Sequence, residues 1–232
     1  MIINQGKDNE KLLIFDLDGT ICDSIYDIKD ALNFVNKKYG LYEFNLEEVR
    51  KMIGNGFHFL VNKSLENNDD KLNVDELVLK FEKKYLEILA NKTQIYDGIL
   101  DFLNEFSKNK VYNIRLAVLT NKKENATKKL MHKLGITKYF DFIAGDGTFL
   151  ERKPSPLPVI EITKTLKIPL TNTVMIGDGV NDILVAKNSN IKSIWVSYGY
   201  SKLDEIKQYI PDFVINNAQE LKVLILEKFC CN

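Results

Sequence analysis

Arginine is scarce in this chain. Of 32 basic residues only Arg50, Arg115 and Arg152 carry guanidinium groups, and lysine supplies the rest. Lysine is a flexible point charge and not a rigid bidentate fork, so each arginine merits separate inspection. The 32 acidic residues cancel the basic ones. No global basic field exists to hold a polyanion, and no nucleic acid is expected as a partner. Cysteine is equally sparse. Cys22, Cys230 and Cys231 form neither a CxxC pair nor a secreted disulfide framework. Reduced thiols in a cytoplasmic protein are the expectation. The opening MIINQGKDNE lacks the basic stretch and apolar run of a secretory signal. No uninterrupted apolar segment reaches membrane-spanning length, and the tail FCCN matches no prenylation box, so no membrane partner is expected. Two histidines, His58 and His132, are too few and too far apart for a zinc site.

What is present is ample apolar material: 45% of 232 residues, enough for one large domain or two modest ones. Lys11–Asp16 reads as a buried strand ending in Asp-Leu-Asp-Gly-Thr. From about Ile21 to Ala90 the pattern is almost wholly helical. Ile28, Ala31, Leu32 and Val35 share one face, and Gly40 suits the stop. Asn45 with Glu48, and Asn73 with Glu76, have the spacing of capping boxes. Beyond Gln94 strands and helices alternate. Strands are predicted at Ile114–Leu119, Asp141–Ala144, Thr173–Gly177, Ser193–Val196 and Asp212–Ile215. Helices are predicted at Ile99–Ser107, Lys123–Leu134, Pro156–Leu166, Asp182–Ser189 and Ala218–Lys228. Such alternation implies a parallel sheet with helices on both faces. One strand before the helical block and several after it make residues 21–91 an inserted cap. Residues 1–20 and 92–232 then form an α/β core. The cap would join the core at the strands' carboxyl edge, where open α/β sheets bind ligands.

Four stretches carry chemistry. In Phe15-Asp16-Leu17-Asp18-Gly19-Thr20 two carboxylates stand two residues apart after an apolar strand. Like charges repel and resist desolvation, so their pairing calls for a cation. One carboxylate can attack phosphorus while the other handles the leaving group's proton, and Gly19 lets the backbone approach a phosphate. Thr120-Asn121-Lys122 follows a strand, where a hydroxyl and an amide can donate to phosphate oxygens; a helix cap is the competing explanation. Arg152-Lys153-Pro154-Ser155-Pro156 holds a lysine beside a rigid turn, or is an ordinary exposed loop. In Gly177-Asp178-Gly179-Val180-Asn181-Asp182, Asp178 directly follows a strand and suits a hard cation, while Asp182 could be a helix-dipole partner. Asp16, Asp18, Asp178 and Asp182 together would place up to four negative charges against one lysine. At ~4 Å and an effective dielectric of ~20 each like pair costs ~4 kcal/mol. A divalent metal is therefore expected before any phosphate arrives.

Taken in order, DLDGT, Thr120, Lys153 in KPSP and GDGVND resemble the haloacid dehalogenase-like phosphatase superfamily across essentially the whole chain. The resemblance implies a Rossmann-like α/β core with an inserted helical cap. It implies a Mg²⁺-dependent phosphatase working through an aspartyl-phosphate on Asp16, with Asp18 as general acid and then base. Thr120, Asn121, Lys153 and Gly19 would bind phosphate. Asp16, the Asp18 carbonyl and Asp178 would hold Mg²⁺, with Asp182 supporting. The cap stretch from Val49 to Val61, together with VSYGY at 196–200 and PDFVI at 211–215, is similar to the phosphoglycolate phosphatase-like branch. That likeness makes 2-phosphoglycolate the expected substrate and Arg50, Gly54, Asn55 and Gly56 the cap residues nearest it, with Arg50 available to a carboxylate. A plain helix–helix turn would also favour Gly and Asn there. Two departures stand out: GDGVND, where the branch more often has Ser after Gly-Asp, and Cys22 in the hinge. His58 and Arg152 are secondary candidates, and Trp195 reads as core. The expected oligomeric state is monomer or homodimer.

Sugar phosphomutase or pyrophosphatase activity on the same scaffold is the alternative. A non-enzymatic binding module is disfavoured. DLDGT lacks the further ligands of an EF-hand, no Walker A run occurs, and GNGFHF fails the dinucleotide pattern. GDGVND also occurs in ion pumps, but the membrane segments of a pump are missing.

Overall fold

A computed structural model describes residues 10–66, 72–108 and 111–230. The N-terminal stretch read for a leader, and Cys231, lie outside the described residues. The chain runs β1 (Lys11–Phe15), β2 (Cys22–Asp23), α1 (Ile25–Lys38), α2 (Leu46–Arg50), α3 (Gly56–Ser64), α4 (Val74–Ile88), β3 (Gln94–Ile95), α5 (Ile99–Lys108), β4 (Ile114–Lys123), α6 (Glu124–Lys133), β5 (Phe142–Asp146), α7 (Leu157–Leu166), β6 (Thr173–Gly177), α8 (Val180–Asn188), β7 (Lys192–Val196), α9 (Leu203–Ile206), β8 (Phe213–Ile215) and α10 (Ala218–Ile225).

Six strands form one sheet in the order β5-β4-β1-β6-β7-β8, every pairing parallel. β1 sits near the middle, and Leu12 to Phe15 are all fully buried, as a strand covered on both faces requires. The period of two sorts them. Leu13 and Phe15 join the cluster of Phe102 and Phe106 from α5 and Leu221 and Ile225 from α10. Leu12 and Ile14 join Val159 and Ile162 from α7 and Val185 from α8.

α1–α4 form the helical cap, with α4 packed on both α1 and α3. Leu17, Ile21 and Ile25 run the first core cluster into Leu32, Phe81 and Tyr85 of the cap. The predicted, almost wholly helical stretch is corrected at its start, where Cys22–Asp23 is a strand. Cys22–Asp23 and Gln94–Ile95 pair antiparallel as a two-stranded ribbon at the neck. Asp27 of α1 reinforces it, accepting from the backbone N–H groups of Lys92 (3.0 Å) and Thr93 (3.1 Å) and from the Thr93 hydroxyl (2.6 Å). The Asn45–Glu48 capping box is complete. At Asn73 only half forms: Asn73 accepts from the Glu76 N–H, but the Glu76 carboxylate turns to Lys80 at 2.6 Å. Gly40, with φ of 66°, follows the end of α1. No helix among the described residues is long and apolar enough to cross a membrane.

Candidate active site at the carboxyl edge of the sheet

Asp16 leaves the end of β1 and Asp178 the end of the neighbouring β6. Asp182 lies in the first turn of α8, which starts at Val180, two residues earlier than the sequence suggested, with Gly179 as its N-cap. One oxygen from each of these three buried carboxylates lies within 4.8 Å of the others. Each is fixed by two partners. Asp16 accepts from the Leu17 N–H (2.7 Å) and faces Lys153 Nζ (3.0 Å). Asp178 accepts from the Thr20 hydroxyl (3.1 Å) and the Tyr200 N–H (2.7 Å). Asp182 accepts from Lys153 Nζ (2.6 Å) and the Gly179 N–H (2.9 Å). Trp195, buried as expected, donates from Nε1 to the Asp178 carbonyl at 2.9 Å. Glycine makes room: a Cβ on Gly19 would stand 2.4 Å from an Asp178 carboxylate oxygen, and one on Gly177 would stand 2.2 Å from the Asp182 carboxylate.

Three carboxylates gather here and the one ammonium pairs with only two of them, Asp16 and Asp182, and the ionisation equilibria register the imbalance. Burial pushes Asp16 up to about 6 against the pull of Lys153, with Asp182 adding to the rise. Burial, then Asp16 and Asp182, push Asp178 up to about 8. Burial opposes the charge on Lys153, but Asp16 and Asp182 outweigh it and hold the ammonium above its ordinary range. Protonation or a cation relieves such crowding. The all-oxygen, hard donor set fits a divalent metal of the Mg²⁺ or Ca²⁺ type.

Asp18 directs its carboxylate elsewhere. Oδ1 accepts from Ser24 Oγ (2.5 Å) and Lys122 Nζ (3.0 Å), and Oδ2 from Lys122 Nζ (2.8 Å). The Lys122 ammonium is buried, 4.5 Å from the ring centre of Tyr85 and 5.7 Å from that of Phe57. β4 runs on past the predicted Leu119 to Lys123. Its pairing with β5 shifts register between Leu119 and Lys123, which is how Thr120, Asn121 and Lys122 come to lie at the site. Thr120 is buried, and its hydroxyl accepts from the Lys122 N–H at 3.3 Å. The Asn121 amide is engaged away from any phosphate: its Nδ2 donates to the carbonyls of Gly54 (3.0 Å) and Lys153 (3.0 Å).

A cavity of about 350 Å³ opens between core and cap, lined by Asp16, Asp18, Arg50, Asn55, Lys153 and Asp178 among others. Gly54 presents its carbonyl to Asn121 and also to Asn181 (3.1 Å), and Asn181 donates to Asn55 Oδ1 (2.9 Å). At Gly56, with φ of 81°, a Cβ would be crowded, lying 3.0 Å from the Asn121 carbonyl and 3.1 Å from Arg152 Nη1. Gly54 has open space around it, so φ of 107° alone accounts for glycine there. The Arg50 guanidinium stands 3.7 Å from Glu47, and its buried Nε has no partner. His58 is exposed and 3.4 Å from Asp75; it lines neither this cavity nor the smaller one beside Thr120. His132 is also exposed. Arg152 lies toward Asp146 at 4.0 Å. Sequence reasoning assigned nothing to Lys122, Ser24, Asn181 or Tyr200. The first three sit inside or next to the motifs, and Tyr200 closes VSYGY, but only long-range contacts reveal their partners.

Comparison with known proteins agrees with this fold. The family described as haloacid dehalogenase-like hydrolase matches residues 13–196. A phosphoglycolate phosphatase of Aquifex aeolicus is 37% identical over 215 residues, covering 93% of this chain and 96% of its own. One from Colwellia psychrerythraea is 32% identical over 221 residues, covering 92% and 96%. A Haemophilus somnus crystal structure, described as a predicted phosphoglycolate phosphatase, superposes with a TM-score of 0.84 at 26% identity, covering 93% of this chain and 98% of that one.

Proposed function

Because the chain belongs to the haloacid dehalogenase-like hydrolase family, we propose that it is a Mg²⁺-dependent phosphoric monoester hydrolase with 2-phosphoglycolate as substrate. The observation that carries this reading is the gathering of Asp16, Asp178 and Asp182 at one point, with Lys153 paired to Asp16 and Asp182 and Asp18 lining the same cavity. Asp16, Asp178 and the Asp18 carbonyl hold the metal, and Asp182 supports the site. When bound, Mg²⁺ offsets the carboxylate charge and lets a phosphate dianion enter.

Asp16 attacks phosphorus, and Asp18 delivers a proton to the departing oxygen. The phosphoryl group rests on Asp16 as an acyl phosphate until water removes it, with Asp18 taking the water's proton. Lys153, already bonded to Asp16, stabilises charge on the transferring group, in the manner of phosphoryl-transfer sites generally. Thr120, Gly19 and the Asn121 backbone form the rest of the phosphate cradle; the Asn121 side chain serves the cap. Residues 21–91 act as a gate that closes the site from water. Arg50, which lines the cavity, receives the substrate carboxylate. The relatives named phosphoglycolate phosphatase support this choice.

A panel of about a hundred small phosphates assayed with Mg²⁺ tests the proposal. Phosphate release is expected, highest in kcat/KM for 2-phosphoglycolate and abolished in Asp16→Asn. A kcat/KM for phosphoglycolate no better than for p-nitrophenyl phosphate removes the substrate assignment. Full activity in Asp16→Asn removes the mechanism.

A further inference from the structure

Lys122 takes no part in the proposed bond changes, yet its ammonium is buried between Asp18 and two aromatic rings. Its side chain is buried, and both of its short contacts are to Asp18. Burial works against its charge, but Asp18 and Tyr85 together outweigh that penalty. Phe57 of α3 and Tyr85 of α4 lie against the ammonium from the cap side. An apolar, aromatic cover keeps water from competing for an ion pair and so strengthens it. Ser24, next to the neck strand β2, completes the set by donating to Asp18. In this arrangement both Asp18 oxygens accept hydrogen bonds. That is the state required to take a proton, not to give one.

We infer that Lys122, with Ser24, is a positioning residue that holds Asp18 as the proton acceptor for hydrolysis of phosphorylated Asp16, and that the closed cap preserves this state through Phe57 and Tyr85. The inference rests on the reaction proposed above. In the step concerned, a water oxygen bonds to phosphorus and the bond from phosphorus to the Asp16 oxygen breaks. The bonding pair returns to the Asp16 carboxylate, and one water proton passes to Asp18. Inorganic phosphate leaves. Lys122 neither gains nor loses an atom; it fixes the acceptor.

The test is Lys122→Met assayed with p-nitrophenyl phosphate and Mg²⁺, following nitrophenol release by rapid mixing and protein-bound phosphate after acid quench. Loss of the positioned base should slow turnover about tenfold or more. Protein-bound phosphate should rise toward one per chain, an early burst should appear, and KM should fall with kcat. Lys122→Arg, which keeps paired donors, should recover most of the turnover. A merely structural role would lower burst and turnover together, and slower turnover without accumulated phosphate overturns the inference. Asp18→Asn separates the two levels. If Asp18→Asn accumulates phosphate and Lys122→Met does not, only the role of Lys122 fails. If neither does, the underlying mechanism fails with it. Should Lys122→Met not fold, Lys122→Gln carries the same measurement.

Discussion

At the sheet edge each carboxylate of the acidic cluster is gripped by two partners. The cap loop above it meets the core through three amide hydrogen bonds from Asn121 and Asn181. The edge stores electrostatic tension in a fixed frame, whereas the loop is held by neutral contacts that can be broken and remade. That division suits a reaction whose charges must be in place before substrate arrives and whose cover must lift to admit it. If the division is real, damage to the edge should lower kcat, and damage to the loop should raise KM.

The largest effect is expected at Asp178. Asp178→Asn should cut kcat roughly 10²–10³-fold, as removal of a preorganised electrostatic group does, with no rescue by excess Mg²⁺. The same substitution should stabilise the metal-free protein above pH 6. Burial, with Asp16 and Asp182, raises Asp178 to about 8 in the folded chain, while the unfolded chain releases that proton near pH 4 (about 3.9). The folded state therefore binds more protons, and this contribution to stability is present in acid and lost as pH rises through about 8. Asp16, raised to about 6 by burial against Lys153, acts in the same direction. Thermal melts without metal should fall across this range in the wild type and flatten in Asp178→Asn. A wild-type slope of the opposite sign would contradict the crowding argument.

Metal should reverse the same trend. At a Mg²⁺ concentration a hundredfold above Kd the stabilisation is about 2.7 kcal/mol, or several degrees in melting temperature for a chain of this length. The gain should grow with pH, because protons compete for the same oxygens; isothermal titration at two pH values checks it.

Smaller effects belong to the loop. Gly56→Ala adds a Cβ 3.0 Å from the Asn121 carbonyl at a left-handed φ, costing ~1–3 kcal/mol, and should raise KM about tenfold with kcat nearly intact. Asn181→Ala removes two neutral hydrogen bonds to the loop and should raise KM only about fivefold, since each contributes ~1 kcal/mol or less. A kcat loss exceeding the KM change in either variant would erase the contrast between edge and loop.

What could be read from the sequence follows the same line. Asp16, Asp178 and Asp182 were legible because each is placed by local signals: an apolar run that ends, a glycine, a helix start. Lys153 was legible through its turn. Asp18's partner was not, because Lys122 lies 104 residues away and nothing local distinguishes it from the chain's many solvated lysines. The Asn121 amide reads as a phosphate donor because it follows a strand. In the structure its Nδ2 donates to a cap carbonyl and to the Lys153 carbonyl, contacts visible only in three dimensions. The neck strands, two residues each, are too short to establish any periodicity.

The indole of Trp195 touches the backbone of Asp178, and it is the only indole in the chain. Its emission is consequently an unlabelled optical gauge wired to the acidic pocket. Ion loading, product departure and the chemistry on Asp16 can be timed in the unmodified protein by watching one chromophore.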